Sequence, residues 1–252
     1  MILLKREVTQ LVSSLVILLI ISCEGPAGPV LSGSLSGYVR LESVEEYPLE
    51  NRSGVTILIE EPGMETISED DGSWTIKDLT TGTYTIHFSK DGFSYARVYG
   101  YEFVGGGADY FTTETRLYQI PDYSLENLQM VHYDSLSYLD VVASEDAVDL
   151  SLKSMMIFIG DEASVTSAHE NSLFSAWGSN YYENNDPLLR VRLNNSYFEN
   201  VGLSSGDTAY VIAYPTTRYP RWDFHPGTRE KVYTTLGVPS DVLQFSIPDL
   251  WN

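Results

Sequence analysis

This chain contains a single cysteine and few positively charged residues. One cysteine, Cys23, occurs among 252 residues, so the chain cannot form an internal disulfide. Fifteen lysine and arginine residues stand against 35 acidic ones, and the formal net charge is −20. Such a charge repels nucleic acids and anionic lipid surfaces, so we expect no nucleic-acid partner. The stability of the fold must come from apolar cores.

Motifs for catalysis and metal binding are also missing. The four histidines are dispersed, and no serine stands at the centre of a Gly-x-Ser-x-Gly elbow. No glycine loop of the phosphate-binding kind occurs, and without a second cysteine a structural zinc site is not expected. We therefore expect a protein that is not an enzyme and that carries neither a metal nor a cofactor.

Long apolar runs are absent except near the start of the chain. Lys5 and Arg6 precede the apolar stretch Leu11–Ile21. This stretch has the length of a signal-peptide core and is too short for the ~20 residues that span a bilayer. An uncleaved anchoring segment followed by an incidental cysteine is the alternative interpretation.

The residues Ile20-Ile21-Ser22-Cys23 resemble the processing box of bacterial lipoproteins. The resemblance implies that residues 1–22 are a signal peptide, that Cys23 is acylated, and that the protein is a lipoprotein of the bacterial cell envelope. Glu24 stands where an aspartate holds some lipoproteins in the inner membrane, which favours the outer membrane. The periplasmic and the surface face both stay open. Residues 23–33, rich in Gly, Pro and Ser, are expected to form a flexible tether.

The remaining chain is long enough for two domains, which we place at residues 34–117 and 118–252. Tyrosine occurs 18 times, the β-branched residues are frequent, and turn residues recur at short intervals. These are strand formers, and the spacing predicts an all-β protein of two β-sandwich modules of the immunoglobulin-like or transthyretin-like kind.

The first module contains a strong hairpin signal. Asp71-Gly72 stands between two alternating segments, and glycine tolerates the positive φ that a tight turn requires. Five segments in order resemble the carboxypeptidase regulatory-like family, a seven-stranded transthyretin-like sandwich: Gly37-Tyr38-Val39, Gly54-Val55-Thr56-Ile57, Asp71-Gly72-Ser73-Trp74-Thr75-Ile76, Leu79-Thr80-Thr81-Gly82-Thr83-Tyr84 and Lys90-Asp91-Gly92-Phe93. The resemblance implies a non-catalytic spacer or interaction domain.

The second module is less regular. Ser154–Ile159 is a continuous apolar run and predicts a buried central strand, while Leu188–Leu193 alternates and places Arg190 and Arg192 on one face. Residues 203–214 resemble the late corner and strand of fibronectin type III-like domains, so a fold of that kind is possible for this module.

Two segments of the second module are candidates for ligand binding. Ala163–Pro187 reads as a long polar loop that contains Trp177, Tyr181 and Tyr182. Binding residues are often found on such loops.

The other candidate segment, residues 218–227, contains Arg218, Arg221 and Trp222. Aromatic rings beside arginines can stack on sugar rings or bind a carboxylate. In the alternative interpretation, Trp222 and Phe224 plug the end of the sandwich and the arginines pair with the acidic body of the protein.

These observations favour a non-catalytic, lipid-anchored cell-envelope protein whose β-sandwich modules mediate protein interaction or structural spacing. A glycan-binding surface lipoprotein that uses the aromatic segments of the second module is the alternative. The expected partners are the membrane, through lipid on Cys23, an envelope protein, and a glycan in the alternative.

Replacement of the acceptor sulfur tests the anchor. In a bacterial host, Cys23→Ser should abolish acylation and move the protein out of the membrane fraction, because a hydroxyl does not take up the lipid. Fractionation and metabolic labelling with a fatty acid measure both effects. A variant that still sediments with membranes as the original chain does would contradict lipid anchoring.

Overall fold

The structure, a computed structural model, describes residues 31–132, 138–145, 153–183 and 186–249. The predicted signal peptide, Cys23 and most of the 23–33 tether lie outside these residues. Strands make up most of the described chain, which confirms the all-β prediction. None of the described helices is long and apolar enough to cross a membrane.

The first part of the chain forms two sheets. Its strands are β1 (Ser32–Glu42), β2 (Thr56–Ile59), β3 (Met64–Ile67), β4 (Ser73–Thr80), β5 (Gly82–Ser89), β6 (Ala96–Phe103), β7 (Ala108–Tyr110) and β8 (Thr115–Tyr118). One sheet has the order β4-β1-β7, with β8 also pairing with β1, and the other has the order β3-β2-β5-β6. Strand β1 is long enough to pair with β7 along its first half and with β8 along its second half.

A single apolar core joins these two sheets into a sandwich. It combines Val39 of β1 with Ile57 of β2 and Phe88 of β5, each fully buried. Trp74 and Phe111 cross the interior and contact Phe88, with ring centroids 5.7–5.9 Å apart. The inward residues alternate along β1 and β4, as a half-buried strand requires.

The corner between β4 and β5 is formed by the motif Leu79-Thr80-Thr81-Gly82-Thr83-Tyr84, and its contacts explain the tyrosine and the glycine of that motif. The Tyr84 hydroxyl donates a hydrogen bond of 2.7 Å to the carbonyl of Thr80, in the manner of a tyrosine corner. A Cβ on Gly82 would lie 2.8 Å from that hydroxyl oxygen, so a side chain there would push the Tyr84 ring out of this position. The predicted hairpin at Asp71-Gly72 is wrong. The tight turn is present, with Gly72 at a φ of 87°, but β3 pairs with β2 and β4 pairs with β1, so the turn connects the two sheets.

The second part of the chain forms one antiparallel sheet and a short ribbon. The strands are β9 (Leu125–His132), β10 (Tyr138–Glu145), β11 (Ser154–Gly160), β12 (Phe174–Glu183), β13 (Asp186–Asn194), β14 (Thr208–Thr216), β15 (Trp222–Phe224), β16 (Lys231–Tyr233) and β17 (Leu243–Ser246). The helix α1 (Asn195–Glu199) follows β13, and a short 3-10 helix covers His169–Asn171. The seven-stranded sheet has the order β17-β14-β11-β12-β13-β10-β9, and β15 pairs with β16.

Strand β11 is the centre of this sheet and is buried along its whole length, as predicted for Ser154–Ile159. Met155 and Ile157 face one core, which Leu125 of the edge strand β9 also joins, so the sheet curves over itself. Phe158 faces a second core that is covered by Tyr233 of the ribbon. Apolar residues on both faces explain why β11 does not alternate.

The prediction of a loop over Ala163–Pro187 is wrong for its second half. Strand β12 begins at Phe174 and pairs with β11 on one side and β13 on the other. Its serine and asparagine residues gave the segment a polar composition, but aromatic residues recur between them and favour a strand. Trp177 therefore lies on a strand and not on a loop.

An ion-pair cluster links β10 and β13. Asp140 is fully buried, and its carboxylate accepts hydrogen bonds from Arg192 Nε at 3.0 Å and from Arg190 at 3.4 Å. The alternation predicted for Leu188–Leu193 places both guanidinium groups on this side of the sheet. A buried carboxylate needs such partners, because desolvation without them is costly.

A substitution at Gly37 tests the packing of the first core. A Cβ there would lie 2.6 Å from the Trp74 indole and 3.1 Å from Phe111. Gly37→Ala should therefore lower the free energy of unfolding by about 1–3 kcal/mol, because the indole must shift.

Gly107→Ala is the matched control, since a Cβ there meets nothing within 4 Å. Its stability should stay within about 0.5 kcal/mol of the original chain. Urea unfolding followed by tryptophan fluorescence measures both, and equal midpoints for the two variants would contradict this packing.

Candidate functional site

A short segment of the first sandwich, residues 44–46, forms hydrogen bonds with the second part of the chain. The Glu46 carboxylate accepts a hydrogen bond of 2.7 Å from Arg221 and one of 3.2 Å from the backbone N–H of Tyr219. The N–H of Arg218 donates to the carbonyl of Val44 at 3.3 Å. Two of the residues predicted to bind ligand, Arg218 and Arg221, thus lie directly at the junction of the two parts.

The chain that connects the two parts is fixed on both sides. The N–H of Gln119 donates to the Glu42 carbonyl of β1. The Tyr123 hydroxyl donates 2.6 Å to the carbonyl of Ser154 on β11 and also lies 3.2 Å from the carbonyl oxygen of Thr216 on β14. These contacts hold the two parts in one arrangement and define the surface between them.

That surface is concave, and we call it the intermodule groove. It encloses about 350 Å³, and its lining includes Tyr95, Arg97, Arg116, Tyr118, Arg221 and Trp222. Both parts of the chain contribute, since the first four residues lie before the junction and the last two after it. Two of the predicted residues, Arg221 and Trp222, belong to the groove.

Arg221 forms the floor of the groove together with Tyr118. Its guanidinium carbon lies 4.5 Å from the centroid of the Tyr118 ring, within the range of a cation–π contact. Because Glu46 holds the other side of the guanidinium, Arg221 is both a structural contact and part of the lining. The pairing of arginine with the acidic body, expected in the alternative interpretation, is present here.

Each arginine of the groove has a carboxylate partner. Arg97 lies 3.4 Å from Glu60, and Arg116 lies 2.8 Å from Glu114. Arg221 is paired with Glu46 as described. The groove therefore presents many N–H donors without a surplus of positive charge.

The pKa values in the groove follow from these contacts. Hydrogen bonds from Arg116 and Arg40 hold the pKa of the Glu114 carboxyl below its ordinary value. Burial raises the pKa of the Tyr95 hydroxyl, and the Asp223 carboxylate of the ribbon adds to the rise. At neutral pH Glu114 is therefore an anion and an acceptor, and Tyr95 is a neutral donor.

Trp222 does not plug the end of the sandwich, contrary to the alternative interpretation. Its side chain is 48% exposed, and Phe224, which it meets edge to face at 5.1 Å, is 54% exposed. The Lys231 ammonium lies 4.8 Å from the Trp222 ring centroid. The short pairing of β15 with β16 explains this, because it holds both rings on the side of the ribbon that is open to water.

Two other predicted residues, Trp177 and Arg218, belong to a separate aromatic cluster around Tyr219. Trp177 lies 5.9 Å from Tyr219, and the Arg218 guanidinium lies 5.4 Å from the same tyrosine ring. Tyr181 and Tyr182 continue β12, and their side chains fall outside what the structure describes. Trp177 and Arg218 thus share one ring as a partner, while Arg221 and Trp222 line the groove.

A second concave surface, the Tyr38–Tyr110 notch, lies on the outer face of β1. It encloses about 400 Å³ and is lined by Tyr38, Arg40, Tyr110 and Glu114, among others. The two tyrosine rings are 6.3 Å apart and are 48% and 52% exposed. The notch exists because β7 and β8 pair with different halves of β1 and leave a gap between them.

Sequence reasoning missed every contribution of the first module to these surfaces. The outward residues of β8, Arg116 and Tyr118, alternate with the buried Thr115 and Leu117. That alternation is visible in the sequence and marks them as exposed, but it does not indicate what they face. Among the described residues no cluster of three or more His, Cys, Asp or Glu is placed to hold a metal ion.

Comparisons with known proteins give no family. No protein-family model and no curated protein matches the chain. Similar solved structures include a candidate carbohydrate-binding protein from Bacteroides uniformis, with 12% identity and a TM-score of 0.31 over 86% of this chain and 100% of that one.

Two DUF3823 family proteins are similar to the same extent. The protein from Parabacteroides merdae has 13% identity and a TM-score of 0.30, and covers 86% of this chain and 100% of its own. The protein from Bacteroides ovatus has 10% identity and a TM-score of 0.29, with 86% and 99% covered. Identities and TM-scores this low do not show that the chain shares the fold or the ligand of these proteins.

His87 lies beside the groove, with its ring 5.9 Å from that of Tyr95. We expect it to make the stability of the fold depend on pH. Burial, and next the charge of Arg97, lower the pKa of His87 below its ordinary value of 6.5. The unfolded chain therefore binds this proton more tightly than the folded chain. Stability should fall as the pH drops below about 6.5, and the loss should level off below the folded pKa.

His87→Gln removes the titrating group and should flatten this part of the curve. Thermal unfolding between neutral pH and pH 5 measures the difference between the two proteins. Parallel curves over that range would show that His87 does not carry the dependence.

Proposed function

We propose that this chain is a non-catalytic, lipid-anchored protein of a bacterial cell envelope that binds glycans in the intermodule groove. Residues 34–117 would be a carboxypeptidase regulatory-like module, and residues 118–252 the second β-sandwich module, of fibronectin type III-like character. Cys23 would carry the lipid, with the outer membrane as the site of attachment. The observation that carries glycan binding is the exposed Trp222 ring beside the stacked Arg221 and Tyr118.

Aromatic and polar groups in this groove match the surface of a sugar. A pyranose ring has apolar C–H faces, which pack on an aromatic ring, and hydroxyl groups at its edge, which need donors and acceptors. Trp222 supplies the exposed ring, since almost half of its side chain is accessible. Arginine N–H groups supply donors, and the anionic Glu114 supplies an acceptor.

The ionised state of the Glu114 carboxyl favours binding of a glycan over hydrolysis of its glycosidic bonds. A glycosidase of the usual kind needs a carboxylic acid whose pKa is raised, so that it can protonate the leaving oxygen. Two arginine partners move the pKa of Glu114 in the opposite direction. Of the two carboxylates that line the groove, Glu114 and Asp223, Glu114 is therefore not an acid of that kind.

A protein partner in the envelope is the second candidate. Trp, Tyr and Arg are the residues most enriched in interface hot spots, and the ribbon exposes Trp222 and Phe224 together. Crosslinking in cells followed by affinity capture would identify such a partner, and the two candidates differ in whether purified protein binds free glycans.

A glycan array with the soluble chain from residue 31 onward tests the proposal. Binding to a defined glycan is expected, and Trp222→Ala should weaken it about 5- to 30-fold, because removal of a stacked ring costs on the order of 1–2 kcal/mol. Tyr47→Ala is the control, since Tyr47 is 65% exposed and lines neither concave surface. An array on which nothing binds would refute glycan binding.

A further inference from the structure

We infer that the glycan site extends beyond the intermodule groove into the Tyr38–Tyr110 notch and takes an uncharged oligosaccharide chain. This inference rests on the proposed function, because it assigns the class of glycan and the length of its site. It adds residues of β1, β7 and β8 to those of the ribbon.

Glu114 joins the two concave surfaces. It lines both of them, and its two carboxylate oxygens have different arginine partners. One oxygen accepts a hydrogen bond of 2.7 Å from Arg40 in the notch, and the other accepts one of 2.8 Å from Arg116 in the groove. A single side chain thus separates the two surfaces, so a bound chain can pass from one to the other over Glu114.

Aromatic rings stand at both ends of this path. Tyr38 and Tyr110 lie at one end, and Tyr118 with Trp222 at the other. Tyr118 is level with Glu42 on β1, four positions after Tyr38. At 3.3 Å per residue the two ends are separated by roughly 13 Å along the strand, which exceeds the size of one sugar ring.

The path between the rings is polar and balanced in charge. Arg40 and Arg116 are neighbours in the register of β1 and β8, and both contact Glu114. Arg40 also lies 3.6 Å from the buried carboxylate of Glu42. Two cations therefore face two anions, and the accessible groups of the strip, Arg40, Glu114 and Arg116, offer both donors and an acceptor.

Charge balance selects the class of glycan. An anionic sugar would have to displace carboxylates that already occupy the guanidinium groups, and it would approach a chain of formal charge −20. An uncharged sugar is not repelled by this charge. Its hydroxyl groups need not displace the carboxylates, because each arginine retains N–H groups that its carboxylate does not use. The strip therefore favours uncharged sugars over uronic acids.

The dependence of affinity on the length of the oligosaccharide distinguishes this inference from the proposed function. Neutral gluco-, xylo- and manno-oligosaccharides are titrated by calorimetry as di-, tetra- and hexasaccharides, with oligogalacturonates of the same lengths as charged probes. The affinity for the neutral series that binds should rise at least tenfold from the disaccharide to the hexasaccharide. It should change less than twofold between low salt and physiological salt.

Two substitutions assign the ends of the site. Trp222→Ala should weaken every length, whereas Tyr110→Ala should weaken the hexasaccharide about fivefold or more and leave the disaccharide unchanged. Tyr38→Ala, at the ring beside Tyr110, should repeat the second result, and Tyr47→Ala should change nothing. Circular dichroism and unfolding midpoints show that each variant is folded.

The outcomes are distinguishable. If Trp222→Ala weakens binding but length and Tyr110→Ala have no effect, the extended site is wrong and glycan binding in the groove stands. Tighter binding of oligogalacturonates than of neutral chains would overturn the assignment of an uncharged ligand. If no probe binds, both the inference and the proposed function fail.

Discussion

The contact between the Glu46 carboxylate and Arg221 is the one on which the proposed binding surface depends. It joins residues 175 positions apart and lies partly out of water, where a charged hydrogen bond is strong. Glu46 has a positive φ of 67°, a backbone state that costs energy for a residue with a side chain. Backbone hydrogen bonds close the turn around it, from the Glu46 N–H to the Ser43 carbonyl and from the Ser43 N–H to the Tyr47 carbonyl. The carboxylate at this position binds Arg221, whose guanidinium lies over Tyr118.

The acidic composition and the binding surface have a common explanation. A chain with an excess of 20 negative charges can surround each arginine with carboxylates, and the groove and the notch do so. Their arginines then act as rigid, neutralised donors rather than as anion sites. The same pairing keeps Glu114 ionised, which fits an acceptor for hydroxyl groups better than a catalytic acid.

Local patterns predicted strands well and predicted the site only in part. The continuous apolar run of β11 and the Asp71-Gly72 turn each depend on a few adjacent residues, so they were readable. Strand β12 was missed because its polar residues obscured the aromatic ones, and pairing on both sides decides its conformation. Arg221 and Trp222 were selected for chemistry that is local, but their partners come from β8 and the Glu46 segment.

The all-β class, the acidic charge, the apolar central strand and the absence of internal disulfides can be read from the amino-acid sequence, since each follows from composition or from neighbours along the chain. Which rings and arginines meet depends on the tertiary fold. Tyr118, Glu114 and Trp222 come together because β8 pairs with β1 and the ribbon crosses to the first sandwich. Contacts between residues so distant in the chain depend on how the sheets pack, and no local pattern encodes them.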